Sequence, residues 1–427
     1  MKSASIKLLS ILALFSALNA CGVLPDSEPQ GTPQPTGESA TPTVESTEIP
    51  PLENVELTIW VAPEFAPDPD TPAGALLSDR LRDFEAQYPR VDVSVRVKNS
   101  RGQGGLLDAL SATSSAAPSA LPDLITLDPT GIHFSFINDL ITPIDGLIKA
   151  PESPAWYEFA SAASRIDGEL VGYPFASNTE ILAYRTELYE APPTTWEELI
   201  REEDIFLFPA SDPDAVFTVA QYLSQDGQLV DENGQPFLDQ AVLTEVLSLY
   251  EVAREAGVVP LRSLDFSDSQ QTFEELISGR AASSITPLKG YLTLETSEGI
   301  AALPAPAPDK PGISLTETWS WGVVTREPDR QAIIASLLEW LADPDFLGAW
   351  TRALGMLPPT SASLDAWPDG DDSTLASSLV TLAQPKPADT IHLKVGPLIL
   401  EAVSAVLQGI ETPANAALQA VENLQSQ

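Results

Sequence analysis

Apolar and polar residues alternate with the period of a β-strand in two stretches near residues 58 and 94. Val55–Val61 and Val91–Val97 both place a valine, leucine or isoleucine at every second position. Between them, Leu77, Leu81 and Phe84 recur three and four residues apart, which is the spacing of one helix face. The pattern therefore predicts a strand, a helix and a second strand.

The next segment extends this order. A helix is predicted to begin at Leu106–Leu110, and the short apolar run Leu124–Leu127 is typical of a buried strand. Strands that alternate with helices indicate an α/β fold with a mainly parallel sheet. Ligands in such sheets bind beyond the carboxyl ends of the strands. This rule points to the segment after Trp60, to Asp128, and to a turn expected after Tyr173.

The second half of the chain has longer helical periods and further strands. The turn at Asp231–Pro236 lacks the alternating acidic ligands of an EF-hand calcium loop, so we interpret it as a hairpin. The predicted strand Thr316–Thr325 carries Trp319 and Trp321 on one face. The other predicted elements are a strand at Ala281–Thr286 and helices that begin at Trp196 or cover Val242–Ala256, Gln271–Ser278, Gln331–Leu341, Phe346–Ala353, Leu398–Leu407 and Ala414–Leu424.

The amino terminus has the pattern of an export signal. Two lysines precede the apolar run Leu8–Leu18, which is shorter than the ~20 residues that a membrane-spanning helix needs. The residues Leu18–Cys21 resemble a bacterial lipobox, in which a signal peptidase cuts the chain on the amino-terminal side of the cysteine and the cysteine sulfur carries a diacylglycerol. We therefore predict a signal peptide at residues 1–20 and a lipid on Cys21. The alternative is an ordinary signal peptide that contains a cysteine.

Composition narrows the possible functions. Cys21 is the only cysteine among 427 residues, which excludes an intrachain disulfide and a cysteine-rich metal site. Residues 21–53 are rich in Pro, Thr, Ser and Glu, so we expect a disordered tether. The formal net charge of −39 argues against nucleic acid as a partner. We expect a protein anchored to the outer face of the cytoplasmic membrane.

Several phrases along the chain, in this order, resemble the family 1 extracellular solute-binding proteins, the maltose-binding-protein-like group that serves ABC importers. Each phrase is loose, but the resemblance covers nearly the whole chain after the tether. The phrases are Leu140–Ile148, Asp167–Phe175, Pro193–Leu199, Phe273–Ala282 and Gly355–Pro359.

The resemblance implies an α/β protein with the two-lobe, type II periplasmic-binding-protein-like fold, a hinge and an interlobe cleft. It places lobe 1 at residues 54–178 and 300–341, and lobe 2 at residues 179–299 and 342–427. The chain would cross between lobes near Asn178–Ala183, Glu298–Leu303 and Leu341–Pro344. Such a protein closes on a small solute, delivers it as a monomer to the ABC permease, and uses no cofactor and no covalent chemistry.

A sugar site needs aromatic platforms for the apolar ring faces and polar groups for the hydroxyls. Each candidate also has a structural alternative: the tryptophans fit a sheet core, Asp128 fits a helix cap, and Asn178 and Glu180 fit hinge hydrogen bonds. Lys289 would suit a polar or anionic ligand. The predicted ligand-binding residues are Glu64, Phe65, Asp128, Asn178, Glu180, Lys289, Tyr291, Trp319 and Trp321.

Two other functions stay open at the level of sequence. A secreted carbohydrate-active hydrolase needs two carboxylates across the scissile bond, and the many Asp and Glu residues do not exclude it. A binding lobe that feeds a sensor or adhesion complex has the same sequence features as one that feeds an importer. His133 and His392 lie far apart in the sequence and lack evident partners, so we expect no metal site.

Overall fold

The computed structural model describes residues 54–148 and 156–426. The predicted signal peptide, the lipidation site Cys21 and the whole of the predicted tether 21–53 lie outside the described residues. The described strands are β1 (Val55–Val61), β2 (Val91–Val97), β3 (Leu124–Leu127), β4 (Arg165–Ile166), β5 (Glu169–Leu170), β6 (Tyr173–Arg185), β7 (Phe206–Leu207), β8 (Ser283–Pro287), β9 (Ile300–Leu303), β10 (Ser314–Val323) and β11 (Ala383–Pro385).

The helices surround these strands, and short 3-10 helices occur at Pro63–Phe65, Pro118–Ala120 and Leu261–Asp265. The α-helices are α1 (Pro72–Gln87), α2 (Leu106–Ala116), α3 (Pro129–Ile137), α4 (Glu158–Ala163), α5 (Trp196–Arg201), α6 (Val216–Ser224), α7 (Gln240–Glu255), α8 (Ser269–Ile277), α9 (Leu288–Leu292), α10 (Pro328–Leu341), α11 (Pro344–Leu354), α12 (Ser361–Asp365), α13 (Asp371–Leu382), α14 (Asp389–Leu407) and α15 (Pro413–Gln425).

Local chemistry explains several of these boundaries. The hydroxyl of Thr71 accepts from the backbone N–H of Gly74, and a proline follows it at the first position of α1. Thr195 and Glu198 form a reciprocal capping box at the start of α5. The predicted strands β1, β2 and β3 have the predicted bounds, because alternation and apolar runs are strong local signals.

Nine of these strands form one large mixed sheet in the order β2-β1-β3-β10-β6-β8-β7, with β11 paired to β10 and β9 paired to β6, and β4 pairs with β5 in a separate two-stranded sheet. Strand β1 is parallel to β2 and β3, as predicted. The sheet as a whole is mixed and not mainly parallel, because β10 runs antiparallel to both β3 and β6, and β6 runs antiparallel to β8 and β9. The turn expected after Tyr173 is also absent, because Tyr173 begins the long strand β6.

Buried apolar side chains divide into two large cores. The first core includes Leu57 on β1, Leu124 on β3 and Phe84 on α1. The second core contains Phe206 on β7 together with the inward faces of α5, α6, α7, α14 and α15. A smaller cluster joins α9, α12 and α13 around Trp367.

Strands β6 and β10 belong to both large cores. On β6, Phe175 packs in the first core and Leu182 in the second. On β10, Trp321 packs in the first core and Leu315 in the second. The two strands pair with each other in antiparallel register along this passage. We call them the crossing strands and call the two halves built on the large cores lobe 1 and lobe 2.

The passages predicted from sequence can be compared with the positions of the crossing strands. The passage near Asn178–Ala183 coincides with β6. The one expected near Glu298–Leu303 is made by β10 instead, because β9 pairs with the part of β6 that lies in lobe 2. Helix α11, which follows the expected passage at Leu341–Pro344, still packs its Trp350 in the first core. The lobe boundaries stay a prediction, and this packing favours later passage points.

Helix α14 is the one helix of the described residues that is long and apolar enough to cross a membrane. Val395, Ile399 and Val403 on this helix pack in the second core. Its apolar character is accounted for by that packing. Gly396 lies on the same helix and brings it against a loop of lobe 2, because a Cβ there would lie 3.1 Å from the backbone oxygen of Asp214.

Candidate functional site

A cleft of about 830 Å³ opens between the two lobes. Lobe 1 contributes the start of α2, the end of β3 and the start of α3. Lobe 2 contributes Asp214 and the segment from Pro385 to Leu393. The crossing strand β10 forms its floor with Thr316, Glu317 and Trp319.

The lobe 1 wall is organised by Asp128. This residue follows β3 and caps α3, and its Oδ1 accepts a 2.7 Å hydrogen bond from the N–H of Gly131. The other oxygen, Oδ2, accepts from the guanidinium of Arg101 at 3.1 Å. The cap and the cleft contact are therefore made by the two oxygens of one carboxylate, so the two roles considered for Asp128 are compatible.

Arg101 links this wall to the floor. Its Nη2 donates to Oε1 of Glu317 at 2.7 Å as well as to Asp128. The guanidinium extends from a turn before α2 in which Gly102 and Gly104 both adopt positive φ. Burial raises the pKa of Glu317, and the charge of Arg101 opposes that effect. Two carboxylates from different strands thus share one cation.

The floor also carries the aromatic residue that faces the cleft. Trp319 is 5 % exposed and packs edge-on against Phe65, with ring centroids 5.0 Å apart. Trp321 does not line the cleft and packs against Phe175 with ring centroids 4.9 Å apart. A register shift between the crossing strands falls between Trp319 and Ser320. Trp319 therefore lines the cleft with a small part of its surface, while most of its surface supports the core.

The lobe 2 wall is a second charged group. Nζ of Lys386 donates to Oδ2 of Asp214 at 2.7 Å. Nε2 of His392 lies 3.5 Å from Oδ1 of the same residue. The His392 imidazole and the Lys386 ammonium together hold the pKa of Asp214 below its usual range.

The residues predicted to bind the ligand differ in where they lie relative to the cleft. Asp128 and Trp319 line the cleft. Glu64 lies just behind it and accepts a 3.1 Å hydrogen bond from Ser100, which is a lining residue. Phe65 and Trp321 do not line the cleft, because both are buried in the first core; for Trp321 this is the sheet-core alternative considered for the tryptophans.

The remaining predicted residues lie away from the cleft. Oδ1 of Asn178 accepts from the backbone N–H of Lys289 at 3.2 Å, which ties a crossing strand to α9. Tyr291 is buried in the smaller cluster with Trp367. Neither Lys289 nor Tyr291 lines the cleft. The segment that contains both residues folds into the short helix α9, which packs against β6 and β8, and neither side chain forms part of the cleft lining.

Glu180 is held inside lobe 2 beside the crossing. Its backbone pairs with Pro287 of β8, and its Oε2 has no hydrogen-bond partner among the described residues. Burial, reinforced by the negative charge of Asp212, raises the pKa of Glu180 to about 7. Glu180 does not line the cleft, and both its role as a ligand contact and its role in hinge hydrogen bonds stay predictions.

Sequence reasoning missed most of the polar groups of the cleft: Arg101, Asp214, Glu317, Lys386 and His392. Glu317 could have been found, because it lies two residues before Trp319 on a predicted strand and therefore shares its face. The residues of the lobe 2 wall carry no local signal, since Asp214 and Lys386 meet only through the tertiary fold. No group of three or more potential metal ligands occurs among the residues whose placement is described.

Comparison with known proteins places this geometry in context. A sequence profile for the family described as bacterial extracellular solute-binding protein matches residues 79–375. The search of curated proteins finds no match.

Solved structures of low sequence identity share the fold over nearly their whole length. The cyclic alpha-maltosyl-1,6-maltose binding protein from Arthrobacter globiformis is 18 % identical with a TM-score of 0.71, over 87 % of this chain and 98 % of that one. The maltose-binding protein MalE from Listeria monocytogenes, in complex with maltose, is 15 % identical with a TM-score of 0.71, over 87 % and 97 %. The GacH receptor of Streptomyces glaucescens, solved unliganded and with acarbose, is 17 % identical with a TM-score of 0.64, over 87 % and 97 %.

Proposed function

Because the chain belongs to the bacterial extracellular solute-binding protein family, we propose that it captures a sugar between its lobes and delivers it to an ABC importer. The family is extracellular, so the protein acts outside the cytoplasm. The observation that carries the proposal is the cleft between the two lobes, which combines an aromatic floor with polar walls.

The chemistry of the cleft supports a sugar as the solute. Trp319 offers an aromatic edge, and Leu107 and Phe134 add apolar surface for the C–H groups of a ring. The carboxylates of Asp108 and Asp389 accept hydrogen bonds of the kind that hydroxyl groups donate. Neighbours of the same fold include proteins solved with maltose and with acarbose.

The crossing strands support a hinged mechanism. Both lobes are built on β6 and β10, so bending near their middle would open the cleft without breaking either core. Closing around a solute would present a combined surface of both lobes to the permease. Release would follow when the permease favours the open form.

The lobes and the anchor are part of the same proposal. We place the first passage between the lobes near residues 178–179, as predicted from sequence, and move the other two from residues 300 and 341 into β10 and to the end of α11, because β9 pairs with the lobe 2 part of β6 and Trp350 of α11 packs in the first core. Lipid on Cys21 and a tether at residues 21–53 would hold a monomer at the membrane. The positive charges before Leu8 and the cysteine at the end of the apolar run support this arrangement.

The function proposed is binding without chemical change. In the cleft, Asp128 and Glu317 are bridged by one guanidinium, whereas a glycosidase needs two carboxylates free to act on either side of a bond. The family and the neighbours of this fold are binding proteins. Delivery to a sensor or adhesion complex would use the same cleft and differs only in the partner.

A ligand screen tests the proposal. Thermal unfolding of the soluble part, from residue 54 onward, is measured with mono- and disaccharides, polyols, amino acids and phosphoesters. We expect one or more sugars to raise the melting temperature in proportion to the logarithm of concentration. Calorimetry then confirms one site per chain, and recovery of the sugar unaltered excludes hydrolysis. A response confined to amino acids or phosphoesters, or multiple turnover of the sugar, would overturn the proposal.

A further inference from the structure

Two carboxylates in the cleft share a single cation that belongs to a flexible side chain. Oδ2 of Asp128 and Oε1 of Glu317 both accept from Nη2 of Arg101, at 3.1 and 2.7 Å. The side chains of the two acids are only 12 % and 33 % exposed, whereas that of Arg101 is 71 % exposed. The acids are therefore fixed parts of the wall and floor, and the guanidinium rests on them from the solvent side.

The backbone around Arg101 allows the guanidinium to leave. Gly102 and Gly104 follow it with positive φ, and no atom lies within 4 Å of where a Cβ would stand on either. The hydrogen bonds and ion pairs found for the Arg101 side chain among the described residues go to Asp128 and Glu317. Its departure would leave two neighbouring carboxylates without a counter-charge, which is costly in a partly buried site.

The charges of the other lining residues do not supply a replacement. Lys386 is bound to Asp214, and Arg165 donates to the backbone oxygen of Gly168. The cleft also contains Asp108 and Asp389, so its carboxylates outnumber its lysines and arginines. A solute that displaces Arg101 must therefore bring positive charge of its own.

An independent feature of the opposite wall also indicates an unfilled site. His392 is 4 % exposed and lines the cleft, yet its Nε2 has no hydrogen-bond partner among the described residues. Its contact with Oδ1 of Asp214 is an ion pair at 3.5 Å, which is longer than a good N–H···O hydrogen bond. A buried polar atom on a cleft wall that makes no hydrogen bond of good geometry can gain one from a ligand.

We propose that Asp128 and Glu317 form a cation subsite, and that the solute is an amino sugar whose ammonium group replaces the guanidinium of Arg101. A hydroxyl of the same sugar, on the lobe 2 side, pairs with Nε2 of His392. This inference rests on the proposed function, since it names the class of sugar that the same cleft takes.

A matched pair of disaccharides tests the subsite. The first sugar is the β-1,4-linked disaccharide of glucosamine, and the second is cellobiose. At a mildly acidic pH that protonates the amines, the first carries an ammonium group at each C2 and the second a hydroxyl, and they do not differ elsewhere. Calorimetry on the chain from residue 54 onward should give binding about tenfold or more tighter for the glucosamine disaccharide. This preference should shrink as salt is added.

Substitutions assign the preference to the named residues. Glu317→Gln should remove most of the preference by weakening only the amino disaccharide. Arg101→Gln should strengthen the amino disaccharide several-fold, because the competing guanidinium is gone. Glu232→Gln and Arg326→Gln change the same charges on residues that do not line the cleft and should leave the preference unchanged. Thermal unfolding without ligand verifies that each variant is folded.

The outcomes separate this inference from the proposed function. Equal binding of both disaccharides, or tighter binding of cellobiose, overturns the cation subsite and leaves a sugar-binding protein. Weaker binding of the amino disaccharide by Arg101→Gln also overturns it, because Arg101 would then be a ligand contact. If neither disaccharide binds and no sugar of the wider screen does, the proposed function fails as well.

Discussion

The hydroxyl of Thr130 donates a 3.1 Å hydrogen bond to Oδ1 of Asp389, and this bond joins the two lobes at the mouth of the cleft. Thr130 lies in the first turn of α3, whose Ile132 packs in the first core. Asp389 begins α14, whose Ile391 packs in the second core. The bond therefore exists only while the lobes are close together at this point.

Loss of this contact should favour the open form. Thr130→Val removes the donor while keeping the shape of the side chain, and we expect solute affinity to fall about two- to tenfold, as for a single hydrogen bond. Thr130→Ser keeps the hydroxyl and serves as the control. Calorimetry measures affinity, and small-angle X-ray scattering without ligand should show a larger radius of gyration for the valine variant only. Equal affinity of all three proteins would show that the bond has no role in closure.

Trp319 contributes to both stability and binding. We expect Trp319→Ala to weaken sugar binding at least tenfold, or ~1.4 kcal/mol, because the aromatic edge at the floor is lost. The same change leaves a cavity beside Phe65 and should lower the free energy of unfolding by about 3–5 kcal/mol. Trp319→Phe keeps an aromatic ring and should lose less of both. Affinity measured below the melting temperature of the variant separates the effect on binding from the effect on stability. Unchanged affinity would show that Trp319 is not part of the binding site.

The stability of the protein should depend on the ionisation of Glu180. Its pKa is about 7 in the folded chain, above the ordinary value near 4.5 that the unfolded chain has. The folded state therefore binds this proton more tightly, and stability from this group is lost as pH rises from about 4.5 through 7.

Glu180→Gln removes the titration. Relative to the wild type, the variant should gain up to about 3 kcal/mol in the free energy of unfolding between those two pH values. Urea unfolding at a series of pH values measures the difference. The same substitution at Glu232, in an exposed turn, is the control and should show no such trend. A constant difference across the pH range would contradict a raised pKa at Glu180.

A nearly buried ion pair should stabilise lobe 1. Arg330 on α10 donates to both oxygens of Asp123 at 2.6 Å, and Oδ2 also accepts from the N–H of Thr58 on β1. Arg330→Met leaves the carboxylate without its counter-charge, and we expect a loss of about 3 kcal/mol in chemical denaturation. Arg326→Met removes an exposed arginine paired with exposed Asp139 and should cost less than about 1 kcal/mol.

The predicted lipid anchor on Cys21 lies outside the described residues, and fractionation and mass spectrometry test it. Cys21→Ala should release the mature protein from the membrane fraction into the soluble extracytoplasmic fraction, because no cysteine remains to carry lipid. Mass spectrometry of the wild-type amino-terminal peptide should show the added acyl groups on Cys21. An unmodified cysteine in membrane-bound protein would contradict the lipobox interpretation.

The elements that were predictable from sequence carry their signal locally. Strands β1, β2 and β3 follow from alternation or an apolar run, and Thr195 marks the start of α5 through its capping box. The antiparallel placement of β10 could not be inferred in this way. The alternation of apolar and polar residues does not indicate in which direction a strand runs. The partners of β10, which are β3 and β6, are also distant from it in sequence.

Fewer residues of the cleft than elements of the fold could be predicted from the sequence. Asp128 was predictable because the end of a buried strand places a side chain at the sheet edge. Lys386 and Asp214 are 172 residues apart, and only tertiary folding brings them together. Tyr291 illustrates the converse error: its type suits a sugar platform, but the local turn into α9 buries it against Trp367.

The shared strands have a consequence for how the protein matures after export. Strand β3 lies early in the chain, but its neighbour on one side is β10, at residues 314–323. Until that segment has emerged from the translocation machinery, the nascent sheet ends in an open apolar edge. The amino-terminal half therefore cannot complete its sheet until residues 314–323 have left the translocation machinery.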